Sequence, residues 1–167
     1  MAAGGTYTPI ATQTVSGSST ASVTFSSITS AYTDLILIIN GATSDSATNN
    51  FRVRFNSDSA TNYSATRLLG DGSSTSTATG SNNYMMLADI NNALFVSKIH
   101  ILNYSNTNIY KTALSRTGNA SAYLGAYVGL WRNTNAINRI DILTQSAAPT
   151  IYWASGSTFT LYGIAAA

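Results

Sequence analysis

Residues 51–56 read Phe-Arg-Val-Arg-Phe-Asn, and this short alternation decides the fold class. Successive side chains of an extended chain point to opposite sides. The two phenylalanines and the valine therefore share one side, while Arg52 and Arg54 share the other. Such a pattern predicts a strand with one buried face and one hydrated face.

The same kind of pattern recurs outward along the chain. Residues 35–39 (Leu-Ile-Leu-Ile-Ile) are apolar on both sides, which predicts a central strand that is covered on both faces. The Asn40-Gly41 pair that follows favours a tight turn. Turn residues separate further runs at intervals typical of a sandwich or barrel. The predicted strands are 7–15, 21–28, 34–40, 51–56, 84–89, 94–104, 109–116, 122–132, 137–144, 150–154 and 157–164.

The composition supports an all-β domain. Ser and Thr supply 46 of the 167 residues, whereas charged residues supply only 8%, with no Glu and two Lys. Ser and Asn favour turns, and Thr suits strands. With 44% hydrophobic residues and ten Tyr, the chain is too apolar for disorder. We expect a single antiparallel β-sandwich of about ten short strands over residues 16–167, jelly-roll-like, preceded by an N-terminal arm or first strand at 1–15.

Charge and hydropathy argue against several classes of partner. The net charge is only +2, and the Arg residues are scattered rather than gathered into a basic face, so we expect no nucleic-acid binding. The longest apolar run has five residues, far below the roughly 20 that cross a bilayer, so we expect no membrane partner. The first residues resemble no signal peptide. With no Cys and one His, no cofactor or metal site is expected.

Two segments are harder to assign. Residues 70–83 are rich in Gly, Ser and Thr, which predicts an exposed loop. Residues 85–95 are the one stretch where a short helix competes with a strand.

Three segments resemble the small structural proteins of bacteriophage virions. They are Phe51–Ser64, which carries an RFNxDxxxNY stretch, residues 98–112 with Lys98-Ile-His-Ile-Leu and Tyr110-Lys-Thr, and Gly156–Ile164. The resemblance implies a capsid decoration (cement) protein, or a tail or fibre head domain. Such modules are commonly β-sandwiches that act as homotrimers.

The first of these segments also has a plain physical interpretation. Asn56, Asp58 and Asn62 follow a strand, where short polar side chains bond their own backbone. Tyr63 is then placed to fold back onto the sheet. A capped hairpin loop is the leading interpretation, and a calcium or subunit-contact loop is the alternative, although it does not match an EF-hand.

The residues able to carry catalysis are few. The one histidine, His100, is predicted to be structural, and no Gly-x-Ser-x-Gly motif is present. A pair of acids, as in a glycosidase, would have to come from six aspartates with no distinctive context. We therefore expect no enzymatic activity and no catalytic residue.

Aromatic residues cluster in the last third of the chain. Tyr123, Tyr127 and Trp131 share one strand face, with glycines between them, and Arg132 is adjacent. Core packing is the leading interpretation. A subunit interface or a sugar-stacking platform is the alternative, because Tyr and Trp are enriched at interfaces.

Together these observations predict a decoration protein that stabilises a capsid shell by contact, made in a host cytoplasm and exposed on the virion. Its expected partners are the major capsid protein and further copies of itself as a homotrimer. The predicted shell contacts are Tyr7, Pro9, Arg52 and Arg54. The alternative is a tail-associated module that recognises host polysaccharide through Tyr123, Tyr127, Trp131 and Arg132.

Overall fold

A computed structural model describes residues 6–46, 49–119, 123–144 and 151–165. In these ranges the chain forms twelve strands and no helix, and all neighbouring strands pair antiparallel. The strands are β1 (Tyr7–Thr14), β2 (Ser22–Phe25), β3 (Asp34–Gly41), β4 (Asn49–Phe55), β5 (Tyr63–Gly70), β6 (Thr75–Asn82), β7 (Met85–Ile90), β8 (Phe95–Leu102), β9 (Lys111–Asn119), β10 (Tyr123–Trp131), β11 (Ile140–Leu143) and β12 (Thr158–Ile164).

The strands form two sheets, as expected for a β-sandwich. The larger sheet has the order β1-β12-β3-β8-β9-β10-β5-β6, and the smaller has the order β2-β11-β4-β7. The predicted antiparallel β-sandwich is confirmed, with twelve strands in the described ranges against the expected count of about ten. The jelly-roll connectivity stays a prediction.

The alternation in β4 works as its sequence predicts. Phe51, Val53 and Phe55 are buried between the sheets, while the two arginines are half-buried on the other side. Aromatic side chains fill the core in two clusters. In one, Trp131 lies against Phe55 and Tyr63; in the other, Trp153 lies against Phe51, Phe95 and Phe159.

Strand β3 is central in the larger sheet, between β12 and β8, as the apolar run predicts. The tight turn predicted at Asn40-Gly41 is wrong, because both residues continue the strand and pair with Val96 and Phe95. A Cβ on Gly41 would lie 2.5 Å from the Ser157 hydroxyl oxygen. The glycine therefore permits close approach of a neighbouring segment rather than a turn.

Two other predictions need correction, and one ambiguous stretch is resolved as the predicted strand. Most of the predicted 70–83 loop is strand β6, because its backbone pairs with β5 along its whole length. The ambiguous 85–95 stretch contains strand β7. The predicted strand at 150–154 is reduced to single bridges from Trp153 to Thr20 and Thr43, with residue 150 outside the described ranges.

Candidate contact surface

The outer side of the larger sheet, which faces away from the core, exposes large aliphatic side chains. Leu124 is 73% exposed, and four others are 42–53% exposed. We call this surface the apolar face and define it by Leu68, Val96, Leu114, Leu124 and Val128.

Strand register gathers these side chains. Val128 of β10 is paired with Leu114 of β9, and Ala126 lies between Leu68 of β5 and Arg116 of β9. Directly opposed residues on one sheet face lie close enough for their side chains to touch. The exposed aliphatic side chains are therefore neighbours on four adjacent strands, β5, β10, β9 and β8.

The apolar face is concave. A cavity of about 660 Å³ crosses β8, β9, β10 and β5, and Leu68, Val96, Leu124, Lys98 and Arg116 line it. A second of about 520 Å³ adjoins it at Val96 and Gly118, and a third of about 350 Å³ shares Lys98, Arg116 and Ala126 with it. The second and third cavities each share lining residues with the first, and we call these three adjoining, open depressions the trough.

The aromatic residues predicted as a subunit interface or sugar platform lie elsewhere. Tyr127 and Trp131 are 2% and 0% exposed, so they belong to the core and are not accessible to a partner. Core packing, the leading interpretation, is therefore confirmed for these two residues, and the alternative that they contact a partner is wrong. Tyr123 is half-buried, and Arg132 is exposed and donates a hydrogen bond to the Ser64 hydroxyl at 3.1 Å.

The sequence did hold a signal for the apolar face. Leu124, Ala126 and Val128 alternate with the aromatic residues of β10, so both sides of this strand are apolar. The aromatic side points into the core, while the aliphatic side points outward.

The glycines on the core side of β10 have a packing role, as predicted. A Cβ on Gly129 would lie 2.2 Å from the sulfur of Met85, which comes from β7 in the opposite sheet. A Cβ on Gly125 would lie 2.5 Å from the Tyr127 ring. Both glycines make room for large side chains in the core.

The predicted shell contacts are divided between the two sides of the sandwich. Tyr7 is 47% exposed at the rim of the trough, where Lys98 Nζ donates to its hydroxyl at 3.3 Å. Pro9 is exposed on edge strand β1, beside an irregularity in the pairing with β12. These two lie far along the chain from Arg52 and Arg54, which occupy the outside of the smaller sheet.

Both of those arginines already have partners in their own chain. The Arg52 guanidinium lies 4.1 Å from the centre of the Tyr84 ring, and Arg54 Nε donates to the Asn83 carbonyl at 2.9 Å. The structure places Tyr7 near the apolar face and does not bring the two arginines to it.

The Asn56–Tyr63 segment ties strands together. Asn56, with a φ of 54°, donates from Nδ2 to the Ala136 carbonyl and accepts from the Asn138 backbone N–H, both at 2.9 Å. The Tyr63 hydroxyl accepts from the Phe55 N–H at 3.1 Å and donates to the Asp58 carbonyl at 3.2 Å. Tyr63 thus folds back as predicted.

The Asp58 carboxylate is the centre of this segment. It accepts hydrogen bonds from Asn62 Nδ2 and Trp131 Nε1, both at 2.8 Å, and from the Ala60 N–H at 2.9 Å. Burial alone raises the pKa of Asp58, but these donors outweigh it and hold the pKa below its usual value. With its oxygens occupied by donors, the loop has the geometry of a structural tie rather than of a calcium site.

A polar network joins the two sheets between β5 and β7, near one edge of each sheet. Arg67 of β5 donates to both oxygens of Asp89 of β7, at 2.8 and 2.6 Å, and the Tyr127 hydroxyl donates to the same carboxylate at 3.1 Å. Burial raises the pKa of Asp89 despite the arginine, and burial also raises the pKa of Tyr127. The Asp89 carboxylate is buried, while the Arg67 side chain is partly exposed, so the network ties the two sheets together.

Lys111 is a fully buried lysine at the start of β9. Its ammonium donates to the carbonyls of Asn106, Ile109 and Thr134 at 2.6, 2.8 and 2.9 Å. Burial lowers the pKa of Lys111, and the three acceptors match the three N–H groups of the charged form. The lysine therefore ties the loop before β9 to the loop after β10.

His100 lies on the outer side of β8. Its Nε2 is 2.8 Å from Asp34 Oδ2, and Asp34 Oδ1 accepts from the Asn103 N–H at 2.7 Å. Among the described residues, no serine hydroxyl is hydrogen-bonded to His100, so the pair lacks a nucleophile. The same residues contain no group of three potential metal ligands and no helix that is long and apolar enough to span a bilayer.

Comparisons of the chain with protein-family models, with curated proteins and with solved structures found no match. The function of the chain is therefore inferred from its own residues and their geometry.

Proposed function

We propose that the chain is a structural protein of a phage particle, a decoration protein that binds the capsid shell through the apolar face. The observation that carries this proposal is the exposure of aliphatic side chains from four adjacent strands on one rigid sheet. Contiguous apolar surface of this kind marks interaction sites, because water contact with it is unfavourable. The proposed action is contact, without chemistry.

The energetics of such contact suit a shell protein. Burial of apolar area stabilises a complex by about 25 cal/mol per Å² before the cost of association is counted. A specific interface buries roughly 1,200–2,000 Å² in total. Because the strands are held by hydrogen bonds on both sides, the face binds without an ordering cost in its backbone.

The rest of the molecule fits this role. Tyr7 extends the contact surface at one rim of the trough, and Pro9 on the edge strand adds an exposed apolar ring next to it. The outer side of the smaller sheet, with Arg52 and Arg54, lies on the opposite side of the sandwich and would face away from the shell. The major capsid protein is the proposed partner, and a homotrimer with jelly-roll connectivity is the proposed form.

Immunogold labelling of phage particles that contain the chain shows where on the particle the chain lies. Many copies over the head support a decoration protein. A few copies on the tail would instead support the polysaccharide-binding alternative. Absence from the particles would overturn both proposed roles. Light scattering of the purified chain measures whether it is a trimer.

A matched pair of variants tests the surface. Leu124→Ser with Val128→Ser removes two side chains of the apolar face, whereas Ile109→Ser alters an exposed aliphatic residue in the loop before β9. In co-sedimentation with shells lacking the chain, the double variant should lose at least about tenfold in affinity, and Ile109→Ser should bind like wild type. Equal binding by all three proteins would overturn the assignment of this face.

A further inference from the structure

Two cations lie side by side within the apolar face. Lys98 of β8 and Arg116 of β9 are directly opposed in the strand register and point to the outer side. Like charges in opposed positions destabilise a sheet. In a chain with eight basic residues in all, the pairing of two of them in one place needs a reason.

Neither cation has an acidic partner among the described residues. Lys98 contacts the hydroxyl and ring of Tyr7, and no hydrogen bond or ion pair of Arg116 is found there. Asp34, an acid on the same outer surface, contacts His100 rather than either cation, with its Oδ2 2.8 Å from His100 Nε2. Neither Lys98 nor Arg116 therefore forms an ion pair within the described residues.

The surroundings of the pair are aliphatic. Both cations line the 660 Å³ and the 350 Å³ cavities, so they stand where the two meet. Leu68, Val96 and Leu124 lie on one side, and Leu114 and Val128 on the other. A ligand lying along the trough would place apolar groups at both ends and a negative charge in the middle.

We propose that the trough binds an extended segment of a different protein, in which aliphatic side chains flank a carboxylate, and that Lys98 and Arg116 bind the carboxylate. This inference rests on the proposed function, since it specifies the chemistry of the partner at the same face. The planar arginine guanidinium donates two parallel hydrogen bonds that match the two oxygens of a carboxylate. The lysine ammonium adds a compact positive charge beside it.

A second copy of this chain does not fit the trough. Two apolar faces packed on each other about a two-fold axis would oppose the same pair of cations. The chain also has little acid to offer from another surface, because it has no Glu and each of its six aspartates already accepts a hydrogen bond within its own chain. Nucleic acid fits poorly as well, since two cations among aliphatic side chains give no basic track for a phosphate backbone.

Selection from a displayed library of random twelve-residue peptides tests the chemistry directly. On wild type we expect enrichment of peptides with Asp or Glu between Leu, Ile or Val residues. An enriched peptide is then synthesised with its acid and with the matching amide. The acid form should bind wild type about five- to tenfold more tightly than the amide, and added salt should reduce this difference.

Variants of the two cations decide the result. In Lys98→Gln with Arg116→Gln, the acid and amide peptides should bind equally. Arg132→Gln, which changes an exposed arginine outside the trough, should keep the full difference. Circular dichroism confirms that each variant keeps its sheet content.

Three outcomes would overturn the inference. They are the enrichment of peptides without acids, an acid preference that persists in the double glutamine variant, and a wild-type oligomer that Leu124→Ser with Val128→Ser converts to a monomer. The last would show that a second copy covers the face. Because shell binding is measured separately, shells bound without any acid preference would refute this inference and leave the proposed function intact.

Discussion

Replacing Lys111 with methionine tests the contact between its ammonium and three backbone carbonyls. Methionine keeps the length and apolar stem of the side chain and removes the ammonium. The carbonyls of Asn106, Ile109 and Thr134 then lose their donor in a place where Lys111 is fully buried.

The expected loss follows from these three contacts. A buried acceptor left without a donor costs about 1–3 kcal/mol. The terminal methyl of methionine is more favourably buried than an ammonium, which reduces the loss of stability by about 1 kcal/mol. Hydration of the loops reduces the loss further. We expect the free energy of unfolding to fall by about 4 kcal/mol, which is the cost for three acceptors after these two reductions.

The measurement is equilibrium unfolding in urea, followed by circular dichroism at neutral pH. For a domain of this size, the same loss corresponds to a fall in Tm of about 8–16 °C. Lys98→Met is the matched control, because Lys98 is the other lysine and lies on the outer surface; it should change the stability by less than about 0.5 kcal/mol. If Lys111→Met cost less than about 1 kcal/mol, the three-carbonyl tie would not be a main source of stability.

Three further changes probe the core and the Asp58 tie. Gly129→Ala should destabilise the fold by about 1–3 kcal/mol in urea, because the new Cβ would overlap the methionine sulfur from β7. Tyr63→Phe should cost about 1–2 kcal/mol, since the Phe55 N–H loses its acceptor inside the core. Asp58→Asn should be less stable than wild type at pH 7, and this difference should shrink as the pH falls, because the pKa of Asp58 is lowered in the folded state.

Each of these has its own check. Gly118→Ala is the matched control for Gly129→Ala, because its new Cβ would meet only a leucine methyl at an ordinary distance of 3.6 Å. Equal losses of stability for the two variants would contradict the packing argument. For Tyr63, an unchanged urea midpoint would show that the hydroxyl contributes nothing. The stability that Asp58 adds is present above its unfolded pKa and lost as pH falls through its folded pKa, so a difference that stayed constant down to about pH 2 would argue against this sign.

Much of the fold was readable from local pattern. Strands such as β4 and β3 show a clear pattern in the sequence, because their apolar residues recur at the period of a pleated strand. Strand β6 does not, since Thr75–Asn82 contains no large apolar residue and its side chains are mostly exposed. It exists because its backbone pairs with β5, and a pairing of this kind leaves little trace in the residues of one strand.

The contact surface was harder to read for a related reason. On β10 both sides are apolar, and sequence alone does not say which side meets the second sheet. Placing Gly129 against Met85 fixes the orientation, and this contact joins residues far apart in the chain. The opposition of Lys98 and Arg116 likewise depends on the register of β8 and β9, which becomes visible only once the strands are paired.

The two tryptophans of the chain occupy separate aromatic clusters, both fully buried, and differ in one respect. Trp131 donates its indole N–H to Asp58, whereas that of Trp153 has no hydrogen-bond partner among the described residues. Indole emission is sensitive to polar neighbours, so Trp131→Phe and Trp153→Phe would each leave a single fluorophore with its own spectrum. The chain thus carries a built-in reporter in each cluster, and comparison of the two signals during unfolding would show whether both parts of the sandwich open together.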